Sequence, residues 1–135
     1  MPVVQFHLVE NQLSPSECED LVRKASAFFA QALEAPLERI RVFISFYAPN
    51  RVGVAGEPIS QSGQFAPYFE CIVLSSRTKE QRHYIMQGLT ALIVEATGAD
   101  LKRVRGYCRR VDPDDWYISG EPASLVRQAE VSAAT

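Results

Sequence analysis

Residues 56–60 read GEPIS and residues 120–124 read GEPAS, 64 positions apart. At the same offset, APLERIR (35–41) matches ADLKRVR (99–105). Similarity repeated at a fixed spacing marks a duplicated structural unit. Further back, one inserted residue shifts the offset to 65, so that Pro2 faces Pro67 and Gln12 faces Arg77. The second half of the chain is a degenerate copy of the first.

Working outward from the repeats, each half reads as strand, helix, strand. Val3–Val9 is an apolar-rich run with β-branched residues and predicts a strand. Ser14-Pro15-Ser16-Glu17 has the spacing of a capping box with proline at the first helical position. Leu21, Val22, Ala25, Phe28, Phe29 and Leu33 then recur at helical spacing, Pro36 stops the helix, and Arg41–Phe46 is the second strand. The second half repeats the order. Phe69–Leu74 is followed by a cap at Thr78 with Gln81, a helical stripe of Tyr84, Ile85, Leu89, Leu92, Ile93 and Ala96, and a closing strand Val104–Val111. Pro49, Asn50, Gly53, Gly56, Ser62 and Gly63 mark the connection between halves.

Two parallel strands joined by a helix form a right-handed crossover. The expected fold is α/β (α+β): two tandem β-α-β units, 2–60 and 67–124, forming one four-stranded sheet with both helices on one face. They make a single domain over 1–125, and residues 126–135 read as a loosely attached tail. The strands read as apolar on both sides, so a second subunit is expected to cover the other face.

The 135 residues are 47% hydrophobic and 22% charged, which suits one soluble globular domain. No apolar run reaches the roughly 18 residues that span a bilayer. The start, MPVVQFHLVENQ, lacks the basic and apolar regions of a secretory signal, and the cytoplasm is the expected compartment. A net charge of −2 argues against a general nucleic-acid binder. Three of the 14 basic residues are lysine (Lys24, Lys79, Lys102) and the rest are arginine, whose planar fork matches carboxylates. Cys18, Cys71 and Cys108 are odd in number and far apart, which supports neither a disulfide framework nor a zinc site. Cys71 and Cys108, in strand-like runs, read as core residues. With His7 and His83 the only histidines, no metal constellation is present in the sequence.

Proline follows the initiator methionine, in a context from which that methionine is normally removed. Pro2 would then be a secondary amine at the chain terminus. Such an amine acts as a base when nearby cations and desolvation disfavour its protonated form.

The first half, PVVQFHLVENQLSP…LEAPLERIRVFI…GVAGEPIS, resembles the 4-oxalocrotonate tautomerase family along its whole length. The chain is similar to a fused, two-copy member of the tautomerase superfamily over roughly residues 2–124. The resemblance implies that Pro2 is a general base moving a proton between carbon and oxygen of an enol. It implies a carboxylate-binding arginine at Arg77, where the first copy has Gln12. Pro67, by contrast, lies inside the chain, and its amide nitrogen cannot be a base. Each half alone is incomplete, and fusion would put Pro2 and Arg77 in one chain with one competent site. A second family arginine, contributed by a neighbouring dimer to polarise the substrate carbonyl, matches both Arg41 and Arg105. Arg105 is favoured because Tyr107, on the same strand face, matches a tyrosine of the cis-3-chloroacrylic acid dehalogenase group. The family's water-excluding aromatic falls on Trp116, with Val52 as its first-half counterpart. The implied activity is cofactor-independent tautomerisation of an enol or 2-oxo acid such as 2-hydroxymuconate, with no metal. The implied partners are a small carboxylate substrate and two further copies in a homotrimer.

Two other readings compete. A hydrolytic relative, a 3-haloacrylate dehalogenase or malonate semialdehyde decarboxylase, would use the same proline protonated while a carboxylate activates water. The position of that water-activating aspartate holds Arg39 and Arg103, leaving Asp114, Asp115 and Glu121 as replacements, while Lys79 lies close to a decarboxylase arginine. A non-catalytic or nucleic-acid-binding module would rest on Lys102, Arg103, Arg105, Arg109 and Arg110. Alternation divides these between strand faces, and no aromatic-interleaved motif accompanies them.

Overall fold

The computed structural model describes residues 2–128. Met1 and residues 129–135, the greater part of the expected tail, lie outside the described residues. The first unit runs β1 (Val3–Val9), α1 (Pro15–Leu33), β2 (Arg41–Tyr47), a hairpin of β3 (Gly53–Val54) and β4 (Glu57–Pro58), and a one-turn α2 (Ile59–Ser62). The second runs β5 (Tyr68–Leu74), α3 (Lys79–Thr97), β6 (Arg105–Val111), a hairpin of β7 (Tyr117–Ile118) and β8 (Glu121–Pro122), and a one-turn α4 (Ala123–Val126).

The four long strands form a mixed sheet in the order β2-β1-β5-β6. Within each unit the strands are parallel, and the units meet through antiparallel β1 and β5, with Val3 opposite Ile72. This joint gives the sheet an approximate internal two-fold.

Both long helices begin where the caps predict. Ser14 and Glu17 exchange side-chain and backbone hydrogen bonds, as do Thr78 and Gln81, each cap being worth about 1 kcal/mol. The first helix stops earlier than Pro36. It ends at Leu33 because Glu34 takes a left-handed conformation (φ 51°) that returns its N–H to Ala30 and Gln31 carbonyls. Pro36 instead opens a 3-10 turn, Leu37–Arg39. The helices pack on one face of the sheet. Leu21, Ala25, Phe29 and Leu33 of α1 and Ile85, Leu89 and Ile93 of α3 cover Val4, Phe6, Leu8, Phe69, Cys71 and Val73.

The hairpins were not legible as strands. In both, the glycine of the repeated pentapeptide completes a two-residue turn, its glutamate opens the returning strand, and its proline precedes the one-turn helix. Ala55-Gly56 and Ser119-Gly120 all have positive φ, which matches the right-handed twist of a tight hairpin. The open face of the sheet also departs from the reading. It is not apolar: Phe43, Gln5, Glu70 and Tyr107 lie in one row, and Ser45, His7, Tyr68 and Arg105 in another. Strict alternation sends Val4, Phe6 and Leu8 to the helices and leaves Gln5 and His7 outside.

Gly106, opposite Phe69, sits where β6 passes closest to the core. A Cβ there would stand 2.6 Å from Phe69 Cζ and 2.8 Å from Met86 Cε. Phe69 is fully buried and has nowhere to retreat. Gly106→Ala is expected to cost about 1–3 kcal/mol by overpacking. The check is the urea midpoint at unchanged slope; an unshifted midpoint would show that the ring relocates freely.

Candidate active site

Antiparallel pairing of β1 with β5 decides which residues share an end of the sheet. β1 starts where β5 finishes, so Pro2 lies at the same end as the turn that carries Arg77. Pro2 is fully buried, and its carbonyl accepts the N–H of Arg41 at 3.1 Å. Arg77 is tied to the end of β5 and to the end of α1. Its N–H donates to Leu74 and its Nη1 to the carbonyl of Leu33, the last residue of α1, both at 3.1 Å. A cation is favoured there, because helix carbonyl ends carry partial negative charge. Arg41 opens β2 and folds back on the preceding turn, its Nη1 donating to Glu38 (2.7 Å) and Ile40 (3.2 Å) carbonyls.

Trp116 joins this end through the second hairpin. Its carbonyl accepts the N–H of Ala123 at 2.7 Å, and its side chain lines a cavity of about 430 Å³ with Glu38, Arg39, Arg41 and Tyr117. The structure thus gathers Pro2, Arg41 and Arg77 at one end of the sheet, with Trp116 beside Arg41.

Arg105 and Tyr107 are elsewhere. Arg105 repeats the geometry of Arg41 in the second unit: its N–H donates to Pro67 (3.1 Å) and its Nη1 to Lys102 (2.7 Å) and Val104 (3.1 Å) carbonyls. Since Arg105 pairs with Tyr68 and Tyr68 with His7, it lies at the far end of the sheet from its own chain's Pro2. Tyr107 is exposed in the middle of β6, opposite Glu70, with the Arg109 guanidinium 5.7 Å from its ring centroid. The basic cluster is divided as alternation requires. Arg109 faces Glu70 at 3.8 Å on the open face, while Arg110 acts on Cys108 towards the helices.

A second cavity, about 410 Å³, lies at the opposite end. Pro67, Gln12 and Val52 line it, the repeat counterparts of Pro2, Arg77 and Trp116. So do His7, Tyr47, Tyr68 and Glu70, which the sequence did not single out. His7 Nδ1 is 2.6 Å from Tyr47 Oη, and the imidazole stacks on Tyr47 and Tyr68 with centroids 5.7 and 5.4 Å away. Its Nε2 stands 3.6 Å from a Glu70 carboxylate oxygen, beyond hydrogen-bond length. Burial, and then the charge of Glu70, pushes the Tyr68 phenol up, so it keeps its proton at neutral pH. Period-2 alternation would have placed His7 on the open face; its ring partners follow only from strand register.

Cys71 is buried as expected, whereas Cys108, its register partner on the edge strand, is only partly covered. A hydrogen bond with Cys71, followed by the charges of Arg82 and Arg110, holds the Cys108 thiol below its ordinary range.

No family model matches the sequence. Individual proteins do. A 2-hydroxymuconate tautomerase of Pseudomonas sp. (strain CF600) is 39% identical over 61 residues, 45% of this chain and 95% of the relative. The chain belongs to the tautomerase superfamily. A second 2-hydroxymuconate tautomerase, from Stutzerimonas stutzeri, matches over its whole length, 33% identical across 64 residues and 47% of this chain. Those 64 residues equal the spacing of the GEPIS and GEPAS repeats, so the unfused relatives are one unit long. Solved structures supply the fused architecture. Native fused 4-OT superposes with a TM-score of 0.86 at 18% identity, over 93% of this chain and 98% of that one. A fused 4-OT in a symmetric trimer gives 0.82 at 24% identity, over 92% and 98%. This tautomerase is therefore an isomerase with the fold of a fused 4-OT. Among the described residues no helix is long and apolar enough to cross a membrane.

Proposed function

We propose that the protein tautomerises an enol or 2-oxo acid such as 2-hydroxymuconate, with Pro2 as general base once Met1 is removed. The observation that carries the reading is the meeting of Pro2, Arg41 and Arg77 at one end of the sheet, which supplies a base and cations for an anionic substrate. The terminal amine takes the enol hydroxyl proton as the carbonyl forms, and returns a proton to carbon. Burial of Pro2, together with the positive charge of Arg41 and Arg77 at the same end of the sheet, favours the neutral amine. Arg77 holds the carboxylate. Arg105, brought by a neighbouring chain, polarises the carbonyl and stabilises the developing oxyanion. Arg41 and Tyr107 contact the remainder of the substrate, and Trp116 excludes water. The chemistry is that of side chains and the terminal amine, without a cofactor.

The assembly we infer is a homotrimer. Fused 4-OT relatives form symmetric and asymmetric trimers. The open face, with Phe43, Tyr107 and Arg109 outside the Pro67-end cavity, has the aromatic and arginine-rich composition of an interface.

The hydrolytic reading needs a carboxylate to activate water. Asp114, Asp115 and Glu121 do not line the Trp116 cavity, and Glu38 does, beside Arg39. A 3-haloacrylate dehalogenase would therefore depend on Glu38, and Glu38→Gln would abolish halide release.

The test is ketonisation of 2-hydroxymuconate followed by ultraviolet absorbance. Arg77→Ala is expected to lower kcat/KM about 10- to 100-fold, chiefly through KM, the size of one charge-assisted contact. An unchanged KM would remove Arg77 from the carboxylate site.

A further inference from the structure

We propose that the cavity at the Pro67 end is a second ligand site, which holds a planar hydroxylated monocarboxylate without turning it over. The proposal is independent of the role assigned to Pro2. Pro67 is acylated by Ala66, so its nitrogen has no lone pair to act as a base, and its carbonyl is already occupied by the N–H of Arg105. What remains is a cavity that lacks the amine base of the Pro2 end. Its volume, about 410 Å³, is within the range of small-molecule pockets.

The lining has a polarity along its length. Gln12 is held by its Oε1, which accepts the N–H of Val9 at 3.1 Å. That bond leaves the Nε2 of Gln12 over, and this atom is sheltered from solvent with no hydrogen-bond partner. A donor kept from water without an acceptor is costly, and an acceptor in the cavity relieves the cost. Arg51, at the end of the 3-10 turn Pro49–Arg51, adds a cation to the same lining. These two groups suit a carboxylate. The wall between is aromatic: His7 stacked on Tyr47 and Tyr68, a surface for a flat conjugated ligand. Glu70 also lines the cavity. It repels a second carboxylate and accepts from a hydroxyl. The selected ligand is therefore a flat molecule with one carboxylate and a hydroxyl at the other end, not a dicarboxylate.

The test is calorimetric titration of the full chain with 4-hydroxybenzoate and, for comparison, terephthalate. The titration is run on both the unsubstituted and the Arg77→Ala protein; binding at the Pro2 end should weaken about 10- to 100-fold in the latter, so binding that is unchanged by the substitution belongs to the Pro67 end. One equivalent of 4-hydroxybenzoate per chain is expected to bind, with terephthalate at least about ten-fold weaker. Gln12→Glu keeps the acceptor for Val9 and puts a negative oxygen in place of the donor; it should weaken 4-hydroxybenzoate at least about ten-fold. Arg51→Gln, at an exposed position, should do the same and decides the matter if Gln12→Glu fails to fold. Absence of binding, binding indifferent to both substitutions, or equal affinity for terephthalate would overturn the proposal. Failure of the Pro2 reading would instead appear as unchanged turnover in Pro2 variants, with these titrations unaffected.

Discussion

Pro2→Ala should lower turnover of 2-hydroxymuconate by about 10²-fold or more, the scale of a lost positioned general base. The fold should survive. The N–H of Arg41 bonds to the carbonyl of residue 2, which alanine keeps, and the β1–β2 and β1–β5 registers begin at Val3. Alanine still ends in an amine, but loses the ring that fixes the nitrogen's direction and makes it a secondary amine. A stricter variant carries an added residue ahead of Pro2 that is not removed. Its nitrogen is then an amide, as in Pro67, and about 10²- to 10⁴-fold should be lost with every side chain in place. Activity should follow the fraction of molecules whose intact mass shows a free Pro2. Full turnover in both variants would mean that the base is another group.

The two copies also explain what sequence alone could and could not provide. Local signals held well: Ser14 with Glu17 and Thr78 with Gln81 form their capping boxes, and Val3–Val9 is a strand to the residue. These depend on neighbours within four positions. The hairpins escaped notice because a two-residue strand such as Tyr117–Ile118 has no period to detect. Joining Pro2 to Arg77 was legible only through resemblance to the family; its physical basis is the antiparallel β1–β5 joint, a non-local choice. The same joint builds the cavity at the Pro67 end. His7 meets Tyr47 through parallel pairing and Tyr68 through antiparallel pairing, and nothing in the spacing of those three residues announces a stack. The polar open face was misjudged for a related reason. The β1 run VVQFHLV is apolar on average, but its two polar residues fall on one side.

Mixing two inactive variants should restore activity if Arg105 reaches the Pro2 of another chain. Within one chain it cannot reach. From Pro2 to the level of Arg105 is five residues of strand, about 16 Å, and β6 is two strands away from β1. An arginine side chain does not span that distance. Arg105→Ala trimers and Pro2→Ala trimers should each be nearly inactive. In a ring of three chains each chain meets its neighbour head to tail, so a chain with intact Pro2 can borrow Arg105 from a Pro2→Ala neighbour. Co-expressed in equal amounts, the two variants should recover about a quarter of normal activity, since half the chains keep Pro2 and half of their neighbours keep Arg105. Arg41 gives the opposite expectation. Its backbone is hydrogen-bonded to Pro2 of the same chain, and the residue lines the Trp116 cavity at that end. If Arg41 acts within its chain, no mixture of Arg41→Ala with Pro2→Ala restores turnover, because no chain then holds both groups. Recovery with Arg105→Ala alone assigns the electrophile to the neighbour. Full activity of Arg105→Ala trimers, with loss in Arg41→Ala, would transfer the role to Arg41 and make each chain's site self-sufficient in its arginines.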